Sequence, residues 1–317
     1  MPQIEVTFND PNYFWKNFRL GTELHIAGSY LYDALLAFDR MEHFCYEDEC
    51  FEFLYRTSIG IERLEKIAII LLEHHPALIQ EDFEKSLKTH NHIRLLTRIK
   101  EKHSFSFGKL HNKFLQLISE FYLSTRYSRY NRSSVYLPDQ DKLKLVDFIE
   151  KELKIELNSK SCFPTGNDNR IKEFIGKIIS EIAVQLYELI KRLSYENRLA
   201  TYEIRYDSKA FKIFMAKEFT FEKERLSQRE ILTYLLNNSD VDDGFLKFIK
   251  SIDPINLEDY SNNELIKYLF DFTKNHAIKE GVEYQYKENE FDKERLSNIS
   301  AIGSDADFDI SDDDDFF

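Results

Sequence analysis

The chain has 317 residues, 43% of them hydrophobic and 31% charged, which excludes a disordered polymer and leaves room for one large domain or two modest ones. Its formal net charge is −13, but residues 305–317 hold seven Asp and no Lys or Arg, leaving −6 for everything before them. Nine Gly and six Pro are few for this length, so the composition leans to helix rather than to turn-rich β structure.

The cysteines Cys45, Cys50 and Cys162 are odd in number and fit no zinc spacing, the pattern of free thiols in a reducing compartment. The N-terminal stretch MPQIEVTFNDPNYFW has no basic region followed by an apolar one, so no signal peptide is expected. The longest apolar run, 67–72, is too short to span a bilayer. There is no Gly-rich phosphate loop, no G-x-S-x-G and no H-E-x-x-H. The expectation is a cytoplasmic protein with no membrane segment, no cofactor and no metal.

Residues 13–44 carry Phe14, Phe18, Ile26, Leu31, Leu35 and Phe38 near helical spacing. Residues 50–75 form the most apolar segment, and Pro76 stops it. Residues 81–102 read as one polar helix with Leu87, Ile93, Leu96 and Ile99; residues 107–129 follow with Leu115, Ile118 and Tyr122 on one stripe. Breaks at 131–134 and 137–139 close the group, and four antiparallel helices are a natural unit. Residues 141–157 and 170–198 read as further amphipathic helices, separated by NSKSCFPTGNDN (158–169), the strongest internal linker signal. Segment 201–215 alternates, as a hairpin or an irregular connection would. The pairs Ser227/Glu230 and Ser261/Glu264 have capping-box spacing and predict helices over 228–237 and 262–279, with Gly281 as a stop. The expected architecture is all-α. An antiparallel bundle covers 1–137, a mainly helical accessory domain covers 138–282, and a linker with a disordered acidic tail covers 283–317.

Charge is unevenly placed. Residues 85–132 hold eleven Lys or Arg against two acids, Glu101 and Glu120, and also His90, His92, His103 and His111. Such a concentration suits a polyanion, nucleic acid first; the alternative is a solvated helix face whose lysines pair with acids at 81–84 and elsewhere. Lys88, His92, Arg94 and Arg132 are the candidate contacts to nucleic acid. In FYLSTRYSRYNR the apolar stripe turns cationic at Arg126 and Arg129, which directs guanidinium groups to where helices meet and where a carboxylate or phosphate is needed. Tyr127 and Tyr130 flank them and could stack on bases. The alternative is burial of these arginines against Glu62 or Glu65.

These features in order resemble the HEPN superfamily of all-helical, nucleic-acid-associated domains, over about residues 12–136. An apolar helix bears an E-x-x-x-K pair, Glu62 and Lys66, in SIGIERLEKIAIILL; a His-containing turn opens the next helix in KTHNHIRLLTRI; an aromatic–arginine turn ends the last in STRYSRYNRSSVY. The resemblance implies a metal-independent endoribonuclease, usually a homodimer, or an RNA-binding effector of a bacterial antiviral or toxin system. Arg98 and His103 in RIKEKH match the family's Arg-x4-6-His signature. A cation there would hold the scissile phosphate and an imidazole would move the proton of the 2′-hydroxyl. Five residues apart on one helix the two side chains diverge by about 140°, so they converge only if the helix ends between them. Arg98, His103, Arg126 and Arg129 are the candidate catalytic residues.

The tip DDDDFF resembles the acidic tail of bacterial single-stranded DNA-binding proteins. That resemblance implies a different function: a non-catalytic helical adaptor whose Asp314, Asp315, Phe316 and Phe317 dock on a basic pocket of a replication or repair partner.

Overall fold

Asp10 opens the first helix, its side chain accepting from the Asn12 N–H at 3.0 Å, with Pro11 at the first helical position. The computed structural model describes residues 10–136, 139–158, 165–237, 244–273, 275–289 and 293–303. Among these the chain is all-α, without a strand; one isolated bridge joins His43 and Gly166. Helix α1 (Pro11–Phe14), a π-helical turn (Trp15–Arg19) and α2 (Leu20–Arg40) follow without a break. The π turn is pinned from outside. Buried Asn17 donates to Tyr13 O (3.0 Å) and accepts from the Ala200 N–H (2.7 Å), while the Thr201 hydroxyl donates to Lys16 O (2.7 Å).

Helix α3 (Glu47–Glu73) opens on three acids, Glu47, Asp48 and Glu49, which suit the positive end of the helix dipole. It runs antiparallel to α2: Phe38 meets Phe53, Asp33 meets Arg56 and Glu23 meets Arg63. A Cβ on Gly60 would stand 2.7 Å from Leu31 Cγ, so glycine sets how closely these two helices approach.

The single helix expected over 81–102 is two, α4 (Gln80–Ser86) and α5 (His92–Lys102). Asn91 starts α5 afresh, its Oδ1 accepting from the Arg94 N–H at 3.0 Å. Segment 74–91 brings the chain back along α3, so α5 runs in the same direction as α3: His92 meets Glu65, and Arg98 meets Glu73. Helix α6 (Lys109–Leu123) runs against α3, with Ser58 at Ile118 and Tyr55 stacked on Tyr122. Two 3-10 turns, Thr125–Tyr130 and Arg132–Tyr136, follow it.

Helices α7 (Gln140–Leu153), α8 (Asn169–Glu196) and α9 (Lys209–Phe214) bury their apolar faces in the same continuous core as α2–α6. The described chain divides into two compact units after Phe221, not near residue 137. The physical reason lies partly at the supposed linker. Asn167 Nδ2 donates to Phe38 O (2.7 Å) and Met41 O (3.1 Å), and Asp168 caps α8. Its end is therefore tied into the core, while 159–164 lies outside the described residues. Residues 201–208 are irregular rather than a hairpin.

The second unit holds α10 (Glu222–Asn237), α11 (Gly244–Ser251), α12 (Asn262–Phe270), α13 (His276–Glu288) and α14 (Lys293–Ala301). The Ser261/Glu264 capping box is present: the Ser261 N–H donates to Glu264 Oε2 at 2.9 Å. Ser227 instead sits inside α10, which starts at Glu222. Gly281 does not stop a helix; it lies within α13, where a Cβ would stand 2.2 Å from the Tyr260 hydroxyl. No described helix is long and apolar enough to cross a membrane. Asp314, Asp315, Phe316 and Phe317 lie outside the described residues.

Candidate functional site

Arg98 is fully engaged. Its Nε donates to both Glu73 oxygens (2.8 and 2.9 Å), Nη2 to Glu73 Oε2 (2.6 Å) and the Ser86 hydroxyl (3.1 Å), and Nη1 to Ser86 O (3.2 Å). A guanidinium so used fastens α5 to the ends of α3 and α4 and offers no free edge to a phosphate. His103 ends α5 as the sequence led one to expect, but its Nδ1 turns to Ser104 O at 3.0 Å, and it shares no partner with Arg98. Arg129 is likewise committed, with Nη2 2.8 Å from Glu47 and 2.9 Å from buried Asp141, joining the N-terminal ends of α3 and α7. His92, expected to touch nucleic acid, has no exposed surface; its Nδ1 lies 2.8 Å from Glu65 Oε2, and no ligand can reach it.

Arg126 behaves differently. It makes no ion pair among the described residues, and its Nε is buried with no hydrogen-bond partner. Its guanidinium lies 3.6 Å from the centroid of Tyr122 and 4.5 Å from that of Tyr127. Neither Glu62 nor Glu65 holds it, because α5 and its lead-in already occupy both carboxylates. Tyr127 and Tyr130 are exposed and close to each other, with ring centroids 6.3 Å apart. Lys88, Arg94 and Arg132 are exposed. Of the eleven cations in 85–132, Lys85, Arg98, Lys113 and Arg129 have carboxylate partners; the other seven make no ion pair among the described residues. Acids at 81–84 and elsewhere thus pair with four of the eleven cations.

Tyr122, on which Arg126 rests, lines a cleft of about 460 Å³ between α2, α3 and the lead-in to α5. Its polar wall is Glu62, Lys66, His90, Arg63 and Glu23, and its aromatic wall is Trp15, Tyr30, Tyr55 and Tyr122. The E-x-x-x-K spacing works as a helical pair: Lys66 Nζ donates to Glu62 Oε1 at 2.6 Å. The second oxygen, Oε2, lies 2.9 Å from His90 Nδ1. The His90 ring also meets Tyr122 edge-on, with centroids 4.9 Å apart. Arg63 pairs with Glu23 and leaves its own Nε buried and without a hydrogen-bond partner among the described residues. Burial pushes the Tyr122 phenol above its ordinary value, against the opposing pull of Arg126.

The arrangement can do acid–base chemistry. A carboxylate on Nδ1 fixes the neutral imidazole as the Nδ1–H tautomer, leaving Nε2 as the base. His90 is half exposed and Nε2 has no partner among the described residues. Arg126 and the two orphaned arginine N–H groups supply donors for an anion. His90 was legible only as a histidine in a basic segment. Its pairing depends on the break at 87–91, which lays residue 90 across Glu62. Among the described residues no group of three or more His, Cys, Asp or Glu side chains is placed to hold a metal ion. Comparison with protein-family models, with curated proteins and with solved structures finds no match to this chain.

Proposed function

We propose that the cleft binds RNA and that the chain is a HEPN-like, metal-independent endoribonuclease. The observation that carries this reading is the pairing of an unpaired, aromatic-stacked guanidinium, Arg126, with a half-exposed, carboxylate-oriented imidazole, His90, on the same Tyr122 ring. Arg126 and Lys66 hold the phosphate. His90 Nε2 takes the proton of the 2′-hydroxyl, the 2′-oxygen attacks phosphorus, the bond to the 5′-oxygen breaks, and that oxygen takes a proton from water. Glu62 stabilises the imidazolium that forms. Exposed Tyr127 and Tyr130 stack on neighbouring bases, and Lys88, Arg94 and Arg132 track the backbone. This assignment moves the base from His103 to His90 and keeps Arg126 alone of the three arginines first considered. A role as effector in antiviral defence or as a toxin rests on the family resemblance.

The test is cleavage of single-stranded RNA in EDTA. His90→Ala and Arg126→Ala are each expected to lower the rate by about 10²-fold or more, the scale of a lost general base or charge stabiliser. Lys85→Ala, paired with Glu81 on the surface, is expected to leave it unchanged. Cleavage indifferent to both site substitutions would sink the assignment, and an RNA substrate that the wild type binds without cleaving would reduce the reading to RNA binding.

A further inference from the structure

Two histidines and two glutamates form a pair of rungs between α3 and residues 90–92. The outer rung, His90–Glu62, faces the cleft. The inner rung, His92–Glu65, is wholly buried, and Glu65 Oε1 and His92 Nε2 have no hydrogen-bond partner among the described residues. As filling between two helices this is a poor choice. Two polar atoms lose water and gain nothing, where two apolar side chains would pack without penalty. Burial also pushes the Glu65 carboxyl above its usual range, against the attraction of His92.

The geometry around it gives the pair a use. Only Asn91 separates His92 from His90, and Asn91 is itself fixed: its Oδ1 caps α5 at the Arg94 N–H, and its own N–H donates to the Thr89 hydroxyl at 3.3 Å. Glu65 stands three residues from Glu62, on the same face of α3. Fastening His92 to Glu65 therefore sets the height of the chain along α3 at which His90 meets Glu62. Among the described residues, His90 is anchored by Glu62 and the edge of Tyr122. The charged groups acting on Glu65 are His92 from α5 and Glu62 and Lys66 from α3. Those around His90 are Glu62 and, across Tyr122, Arg126.

We infer that His92 and Glu65 are positioning residues for His90, holding its imidazole on Glu62 and against Tyr122 while Nε2 stays open to the cleft. The catalytic meaning of this rests on the reading of the cleft given above; the placement of His90 does not, and can be measured without any substrate.

The experiment is NMR of the full chain with labelled histidine, following the ring contact of His90 with Tyr122. His92→Asn keeps an N–H where Nδ1 stands; His92→Leu keeps the volume and loses the bond. In His92→Leu the His90–Tyr122 contact is expected to vanish, and kcat for RNA cleavage should fall about tenfold with KM little changed. His92→Asn should keep both near wild type. Should His92→Leu fail to fold, Glu65→Met reads the same bond from its other end, with the same expected losses. A folded His92→Leu or Glu65→Met chain whose His90–Tyr122 contact is unchanged overturns the inference. If His90 moves as stated but wild type cleaves no RNA, the nuclease reading falls and the positioning role stands. If wild type cleaves and His90 does not move, the reverse holds.

Discussion

Arg126 and Arg129 stand three residues apart in one 3-10 turn, yet Arg129 meets Glu47 and Asp141 while Arg126 lies against the rings of Tyr122 and Tyr127. The difference comes from what faces them, carboxylates from α3 and α7 in one case and Tyr122 and Tyr127 in the other. Two further residues make sharp predictions. Cys50 is buried, and burial, helped by Glu49, pushes its thiol up to about 12, whereas Cys45 is half-buried. Maleimide labelling of the native chain at neutral pH, read by mass spectrometry, is expected to modify Cys45 well before Cys50, since the thiolate is the nucleophile. Equal labelling of the two would contradict the packing around α3. Glu65 gives a pH dependence. Its folded-state affinity for a proton exceeds the unfolded one, so as pH rises from about 4.3 the unfolded chain releases its proton first and stability falls until Glu65 titrates in the fold. Glu65→Gln lacks that proton equilibrium. Its urea midpoint relative to wild type is expected to rise between pH 5 and pH 8, and a constant difference would argue against a raised Glu65.

At the scale of elements, α3 is the common support: α2, α5, α6, α7 and α8 all pack on it, and it carries Glu62, Glu65 and Lys66. Close approach on its α2 side depends on Gly60. Gly60→Val puts methyl groups into Leu31 and is expected to cost about 1–3 kcal/mol, a fall in Tm of a few degrees by calorimetry, whereas Gly21→Ala, which has only Thr201 O at 3.9 Å, should be nearly silent. The long helices were legible because apolar residues at 3.6 spacing have one way to face a core. The break at 87–91 was not, because Leu87, Ile93, Leu96 and Ile99 keep the helical phase across it. Asn91, the residue that restarts the helix, carries a signal that competes with that phase rather than replacing it. The same limit hid the site. Glu62 and Lys66 are helix neighbours and readable as a pair, while His90 reaches Glu62 only through a reversal of the chain. Ser227 shows the opposite error, a local capping pattern overridden because α10 had already begun at Glu222.

For the whole molecule, net charge misleads. The chain is acidic overall, yet seven cations of 85–132 have no carboxylate partner among the described residues. If they meet a polyanion, binding should release counterions in proportion. The slope of log K against log salt for single-stranded RNA is expected to lose about 0.7 for each phosphate contact removed, so Lys88→Ala, Arg94→Ala and Arg132→Ala should each flatten it. Lys113→Ala, whose partner is Glu152, should not. Fluorescence anisotropy at several salt concentrations measures this, and slopes equal across all four variants would place the nucleic acid elsewhere.

The π turn at Trp15–Arg19 has a consequence for descent as well as for packing. A π turn holds one residue more than the α-helical turn it replaces, so it reads as a single-residue insertion that an ancestral straight helix could absorb. Trp15 lines the cleft from inside that turn. Deleting Trp15 would restore α geometry and leave the helix on either side of the turn in register. The cleft would lose its indole wall while the core kept its shape, and a cavity of the same depth without that wall is what a chain lacking the insertion should display.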